Sequence, residues 1–113
     1  MIFYSCETNK FSFDEKNQEL ISKNHLSKII IENLSTGDIV LIKKKNKSNR
    51  LSFNEMDTLN YFYFEDFLET KKLEKFSLNP NTQYKIENAS VGDVTNYSLL
   101  LKTDNKGMLK SFK

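Results

Sequence analysis

The chain has no tryptophan, one cysteine, one histidine and one proline, and only three glycines in 113 residues. Each scarcity excludes something. A lone Cys6 cannot close an internal disulfide. Cys6 and His25 together fall short of the four-ligand set of a structural zinc site. Gly37, Gly92 and Gly107 are too few and too scattered for a P-loop, a dinucleotide fingerprint or a nucleophile elbow. Without tryptophan, the bulky part of a core must come from nine phenylalanines and five tyrosines. No window approaches the roughly 18 apolar residues of a membrane span. No basic segment leads into an apolar run of signal-peptide length, so a cytoplasmic address, or assembly into a particle, is expected. An acylated lipoprotein cysteine at Cys6 would need an apolar stretch ahead of it, and none is there.

Charge is nearly balanced, with 17 basic and 15 acidic residues and a net +2, too little to define a partner. Lys, Asn, Ile and Phe are abundant, whereas Arg50, Pro80 and Ala89 are each single occurrences. The rich residues have A/T-heavy codons, so base composition explains them, along with the Asn-x-Ser sequons at Asn33, Asn46, Asn88 and Asn96. The length suits one domain spanning 1–113 with a core of its own.

The apolar pattern has period two in several places. Phe11 and Phe13 flank Ser12; Leu26 to Glu32 and Ile39 to Ile42 read as strands, the second apolar on both faces and hence central. Tyr61-Phe62-Tyr63-Phe64 is another, and Tyr97 to Lys102 alternates again. Asp104 to Gly107 signals a turn, with Met108 to Phe112 returning as a last strand. Residues 1–5 suit a short edge strand. Asp14 to Glu19 reads as loop or one helical turn. Ser52-x-x-Glu55 has the form of a capping box, so a short helix is expected at about 53–59, and Phe67 to Phe76 fits either a loop or an amphipathic helix.

The most informative stretch runs from Leu78 to Asp93. Pro80 fixes its own φ and extends Asn79; Asn81 and Thr82 then suit a turn, and Tyr84, Ile86 and Asn88 share one face of a strand. The spacing Leu78-x-Pro80-x-Thr82-x-Tyr84-x-Ile86 resembles the E–F corner of fibronectin type III and related immunoglobulin-like sandwiches. The resemblance covers residues 78–103 only, and the family's core tryptophan is missing. It implies a buried Tyr84 whose hydroxyl bonds to backbone near 78–82.

Ile31-Glu32-Asn33-Leu34-Ser35-Thr36-Gly37-Asp38-Ile39 recurs as Ile86-Glu87-Asn88-Ala89-Ser90-Val91-Gly92-Asp93-Val94, 86 − 31 = 55 positions later. Paired ligation by Asp38 and Asp93 is one reading. Two related hairpins turned by Gly37 and Gly92 at positive φ is the simpler one, because Asn and Ser bond local backbone and two copies are too few for a solenoid.

Candidate binding residues fall in two places. Lys43, Lys44, Lys45, Lys47 and Arg50 put five positive charges in eight residues, a phosphate-binding patch if the loop is free. Tyr61 and Tyr63, with Tyr97, would serve a carbohydrate module if exposed; core is the plainer reading of the aromatics. The adjacent carboxylates Glu65 and Asp66 would face opposite sides of a strand and could not converge on one substrate. No catalytic, metal or cofactor residue is expected. The sequence therefore predicts a single all-β, immunoglobulin-like sandwich of seven or eight strands with one short helix between residues 53 and 75. Its expected role is non-catalytic: a structural or protein-binding module of a bacterial or phage surface, a secretion or injection machine, or a toxin–immunity pair. A carbohydrate-binding module and a nucleic-acid binder acting through Lys43–Arg50 are the alternatives.

Overall fold

The computed structural model describes residues 9–24, 26–46, 48–56, 60–91 and 96–111. The expectations for residues 1–5, Cys6, His25, Lys47 and Gly92 lie outside them. The described chain is all-β, in two sheets. Strands β1 (Phe11–Asp14), β2 (Glu19–Ser22) and β5 (Arg50–Ser52) form the small sheet, ordered β1-β2-β5. Strands β3 (Lys28–Asn33), β4 (Ile39–Lys44), β6 (Tyr61–Phe64), β7 (Lys72–Leu73), β8 (Gln83–Asn88), β9 (Tyr97–Thr103) and β10 (Leu109–Ser111) form the large one. Its order is β10-β9-β8-β3-β4-β6-β7, and every neighbouring pair is antiparallel.

The sheets pack face to face on one core. Phe11, Leu20 and Leu51 from the small sheet meet Ile29, Ile31, Ile42, Tyr61, Tyr63, Tyr84 and Ile86 from the large one. Alternation puts these side chains on the inner faces and their neighbours outside. Phe13 meets Phe53 edge to face at 6.5 Å, and Phe11 meets Tyr97 at 5.7 Å, so aromatic pairs supply bulk to the core of a chain without tryptophan.

Ten strands are described, where the pattern suggested seven or eight. The added ones are short: β2 and β5 have four and three residues, too few to show a period. Among the described residues, the helix expected between 53 and 75 is reduced to a single 3-10 turn, Phe53–Glu55, capped by Ser52, whose hydroxyl accepts from Asn54 N–H at 3.2 Å. Residues 67–76 are loop and β7. A helix would need Thr70 N–H to bond the Asp66 backbone carbonyl. Instead the Asp66 carboxylate takes it at 3.0 Å and takes Lys71 N–H at 2.9 Å, while Glu69 sits at φ +60°.

At the chain's one proline, Tyr84 is buried, and Asn79 N–H donates to its hydroxyl at 2.7 Å. The Thr82 hydroxyl donates to the Pro80 carbonyl at 2.9 Å, and Asn81 takes φ +54°. The bend into β8 is thus held by one phenol and one side-chain turn.

The repeat has a geometric meaning. In the antiparallel pairing of β3 with β8, Ile31 lies opposite Ile86, its own counterpart 55 positions on. A local two-fold axis therefore passes between them. Leu34 N–H donates to Gln83 O and Ala89 N–H to Lys28 O, both at 3.0 Å, as that axis requires. Asn33 Oδ1 accepts from Ser35 N–H at 2.8 Å, and Asn88 Oδ1 from Ser90 N–H at 3.1 Å. The β3–β4 and β8–β9 hairpins are two copies of one unit. Gly37 takes φ +83° in the first turn. The second connection is four residues longer: Ile31 pairs with Val40, nine positions on, and Ile86 with Leu99, thirteen on.

Two buried carboxamides fasten the periphery. Gln18 donates to Leu109 O and accepts from Leu109 N–H, each at 2.9 Å, standing in for a neighbouring strand along β10. Asn9 does the same for Val91, donating to its carbonyl and accepting from its N–H, each at 3.1 Å. The Gln18 contact closes the edge that β10 would otherwise offer to another chain.

Candidate functional site

Strand β6 decides where aromatic surface lies. Its alternation turns Tyr61 and Tyr63 inward, 7% and 1% exposed, and Phe62 and Phe64 outward, half-buried. Tyr63 stacks on Phe76 at 6.1 Å, and its hydroxyl points to the Met56 sulfur at 3.8 Å. The two tyrosines proposed as sugar platforms are core, and Tyr97 is half-buried against Phe11. The accessible rings on this side are Phe62 and Phe64, their centroids 6.3 Å apart.

The basic run is dispersed by the same alternation. Lys43 and Lys44 end β4 on opposite faces. Lys43 Nζ reaches the outer face and pairs with Glu69 at 2.9 Å. Lys44 points inward and is 8% exposed; its ammonium donates to the Ser48 carbonyl and hydroxyl and to the Arg50 carbonyl. Burial pushes its pKa below the ordinary lysine value. Arg50 lies in β5 and pairs with Glu19 at 2.7 Å. Lys45 stands over the Phe62 ring at 4.5 Å, joined from β7 by Lys72 at 5.0 Å. A free five-charge loop does not exist: two of the five cations act as local struts, one sits in an outer-face ion pair, one covers an aromatic ring, and Lys47 lies outside the described residues.

Beside these rings runs the loop 65–71 between β6 and β7. Glu65 N–H donates to Lys71 O at 2.8 Å, closing its base. Asp66 gathers the N–H groups of Thr70 and Lys71 and the Thr70 hydroxyl, and these donors hold its carboxyl below the usual range. Glu69 folds back over the outer face to Lys43 and, at 3.6 Å, to Lys28 on β3. Its hydrogen bond from Lys43, and the charges of both lysines, lower its pKa too. Leu41, on this outer face and outside the main core cluster, is 1% exposed. The tip of the loop carries Phe67 at 57% and Leu68 at 82% exposure, the two most exposed large apolar residues among those described.

Comparison with family models, with curated proteins and with solved structures finds no match. Among the described residues no group of three or more His, Cys, Asp or Glu is placed to hold a metal ion. No helix there is long and apolar enough to cross a membrane. The surface assembled by loop 65–71 and the outer face of β6 has apolar area, fixed backbone and two lysines at its side. The sequence left the aromatic segment open between core, the plainer reading, and binding surface; the structure puts Tyr61 and Tyr63 in the core and turns Phe62 and Phe64 outward. The period-two rule could have separated the outward phenylalanines from the inward tyrosines had the covered face been known.

Proposed function

We propose that this chain is a non-catalytic recognition module that binds another protein through loop 65–71 and the adjoining Phe62 and Phe64. The observation that carries the reading is the exposure of Phe67 and Leu68 on a loop whose backbone is already fixed by Asp66 and Glu69. An apolar tip held in one conformation loses little entropy on binding, and aromatic anchors are common centres of interface energy. Lys45 and Lys72 over Phe62 suit a partner with an apolar pocket and acidic groups on its rim.

The corner at Tyr84 supports kinship with immunoglobulin-like sandwiches, and the setting in a bacterial or phage surface, a secretion or injection machine, or a toxin–immunity pair follows by analogy of fold alone. Mixed-sequence DNA and a panel of glycans, each titrated at two salt concentrations, test the class of ligand. Neither is expected to bind. Affinity of about 1 μM or tighter for DNA, falling steeply with salt, or for a glycan regardless of salt, would overturn the reading.

A further inference from the structure

The exposed tip formed by Phe67 and Leu68 has a counterpart elsewhere on the chain. Phe53 and Met56 at the 3-10 turn, Phe76 and Leu78 ahead of the proline, and Met108 after the β9–β10 turn wall a pocket of about 290 Å³. The first four are half-buried, and Met108 is 40% exposed. Gln18 also lines it, but its amide is committed to Glu15 O and to Leu109. An apolar cavity of about 150 Å³ holds a benzene ring, so this pocket has room for the Phe67 ring and part of Leu68. The charges match as well. Loop 65–71 carries Glu65, Asp66 and Glu69 against Lys71 alone. Lys16 and Lys106, in the two turns that border the pocket, are exposed and form no ion pair among the described residues. The carboxylates of those turns are engaged: Glu15 pairs with Lys110 at 3.7 Å, and Asp104 accepts from Lys106 N–H and Met108 N–H.

We propose that this pocket receives Phe67 and Leu68 from a second copy of the chain. The inference rests on the reading of loop 65–71 as a recognition surface, and it names the partner. Each copy gives its loop and offers its pocket, so the contact is head-to-tail, and copies join into a ring or an open chain. The centre of the contact is apolar on both sides, and the acidic base of the loop meets the lysines of the two turns.

Sedimentation of the purified full chain over a concentration series tests it. The average mass of the wild type is expected to rise with concentration, with a Kd of about 1 mM or tighter for each contact. Phe67→Ser/Leu68→Ser removes the tip, and Ser77→Glu/Met108→Glu charges two exposed positions of the pocket. Each variant alone should be monomeric. Mixed in equal amounts they should form a one-to-one dimer and nothing larger, because each keeps the half that the other has lost. Asn54→Trp, at another exposed lining position, blocks the pocket by bulk and should behave as the charged variant does. A wild type that stays monomeric would overturn the proposal. So would self-association of wild-type strength in the variants, or a mixture that does not pair. If the wild type stays monomeric while a photo-crosslinker at position 68 captures a different protein in the source cell, the loop reading stands and the second copy is lost. If neither contact forms, both fail.

Discussion

At the scale of single residues, a few polar side chains do what backbone cannot. Tyr84 joins the core with its ring and takes Asn79 N–H with its hydroxyl. Tyr84→Phe keeps the ring and strands that N–H beside an apolar edge, so stability should fall by about 1–2 kcal/mol. A denaturation midpoint equal to wild type would contradict the corner. Gly37 sits at φ +83° with nothing within 4 Å of where a Cβ would stand. Gly37→Ala therefore meets no clash, and its cost is conformational alone, about 1–2 kcal/mol. Equal stability of the variant in urea would show that the turn relaxes out of the left-handed region. Tyr84 and Gly37 were both legible in the sequence, because proline, glycine and their neighbours carry backbone preferences of their own. Gln18 and Asn9 were not. Their bonds reach 91 and 82 positions along the chain, and no local pattern marks an amide that will serve as a missing strand.

At the scale of elements, strands with six or more residues announced themselves by period, as did the aromatic four-residue strands β1 and β6, whereas β2, β5 and β7 did not. Leu20 and Leu51 are fully buried, yet each sits in a strand of three or four residues flanked by charge. Only the partner sheet explains them. The loop 65–71 was ambiguous for a physical reason: its composition allows a helix, and one carboxylate prevents it. Asp66 is lowered by the hydrogen bonds it accepts from Thr70 and Lys71. A carboxyl held lower in the folded state than in the unfolded chain contributes stability above its ordinary value, about 4, and loses it as pH falls through the folded value. Glu69 follows the same sign. The loop is thus expected to loosen below about pH 4 while the β3–β8 pairing persists. Faster exchange of the Thr70 and Lys71 amides, with Ile31 and Ile86 still protected, would register it. Asp66→Asn should bring part of that loosening to neutral pH. Exchange at Thr70 that is independent of pH and of this substitution would remove the carboxylate from the account.

At the scale of the whole molecule, the sandwich class followed from the alternation. The arrangement of three and seven strands did not, since pairing order is decided by contacts between distant segments. The repeat was visible as letters, but its two-fold relation appeared only when Ile31 was found opposite Ile86. The basic run looked like a site because it is contiguous in sequence, and β4 then sent its members to opposite faces. What remains on the outside is an apolar loop tip beside two outward phenylalanines, and the account's central claim is that this tip touches a protein. The direct measurement is photo-crosslinking in the source cell, with a benzophenone amino acid at position 68 and, as control, at Lys16, an exposed residue of the β1–β2 turn. The account predicts a discrete protein adduct from position 68 only, competed by excess wild-type chain and not by a Phe67→Ser/Leu68→Ser variant that melts like wild type. No adduct from position 68, or the same adducts from both positions, would contradict it.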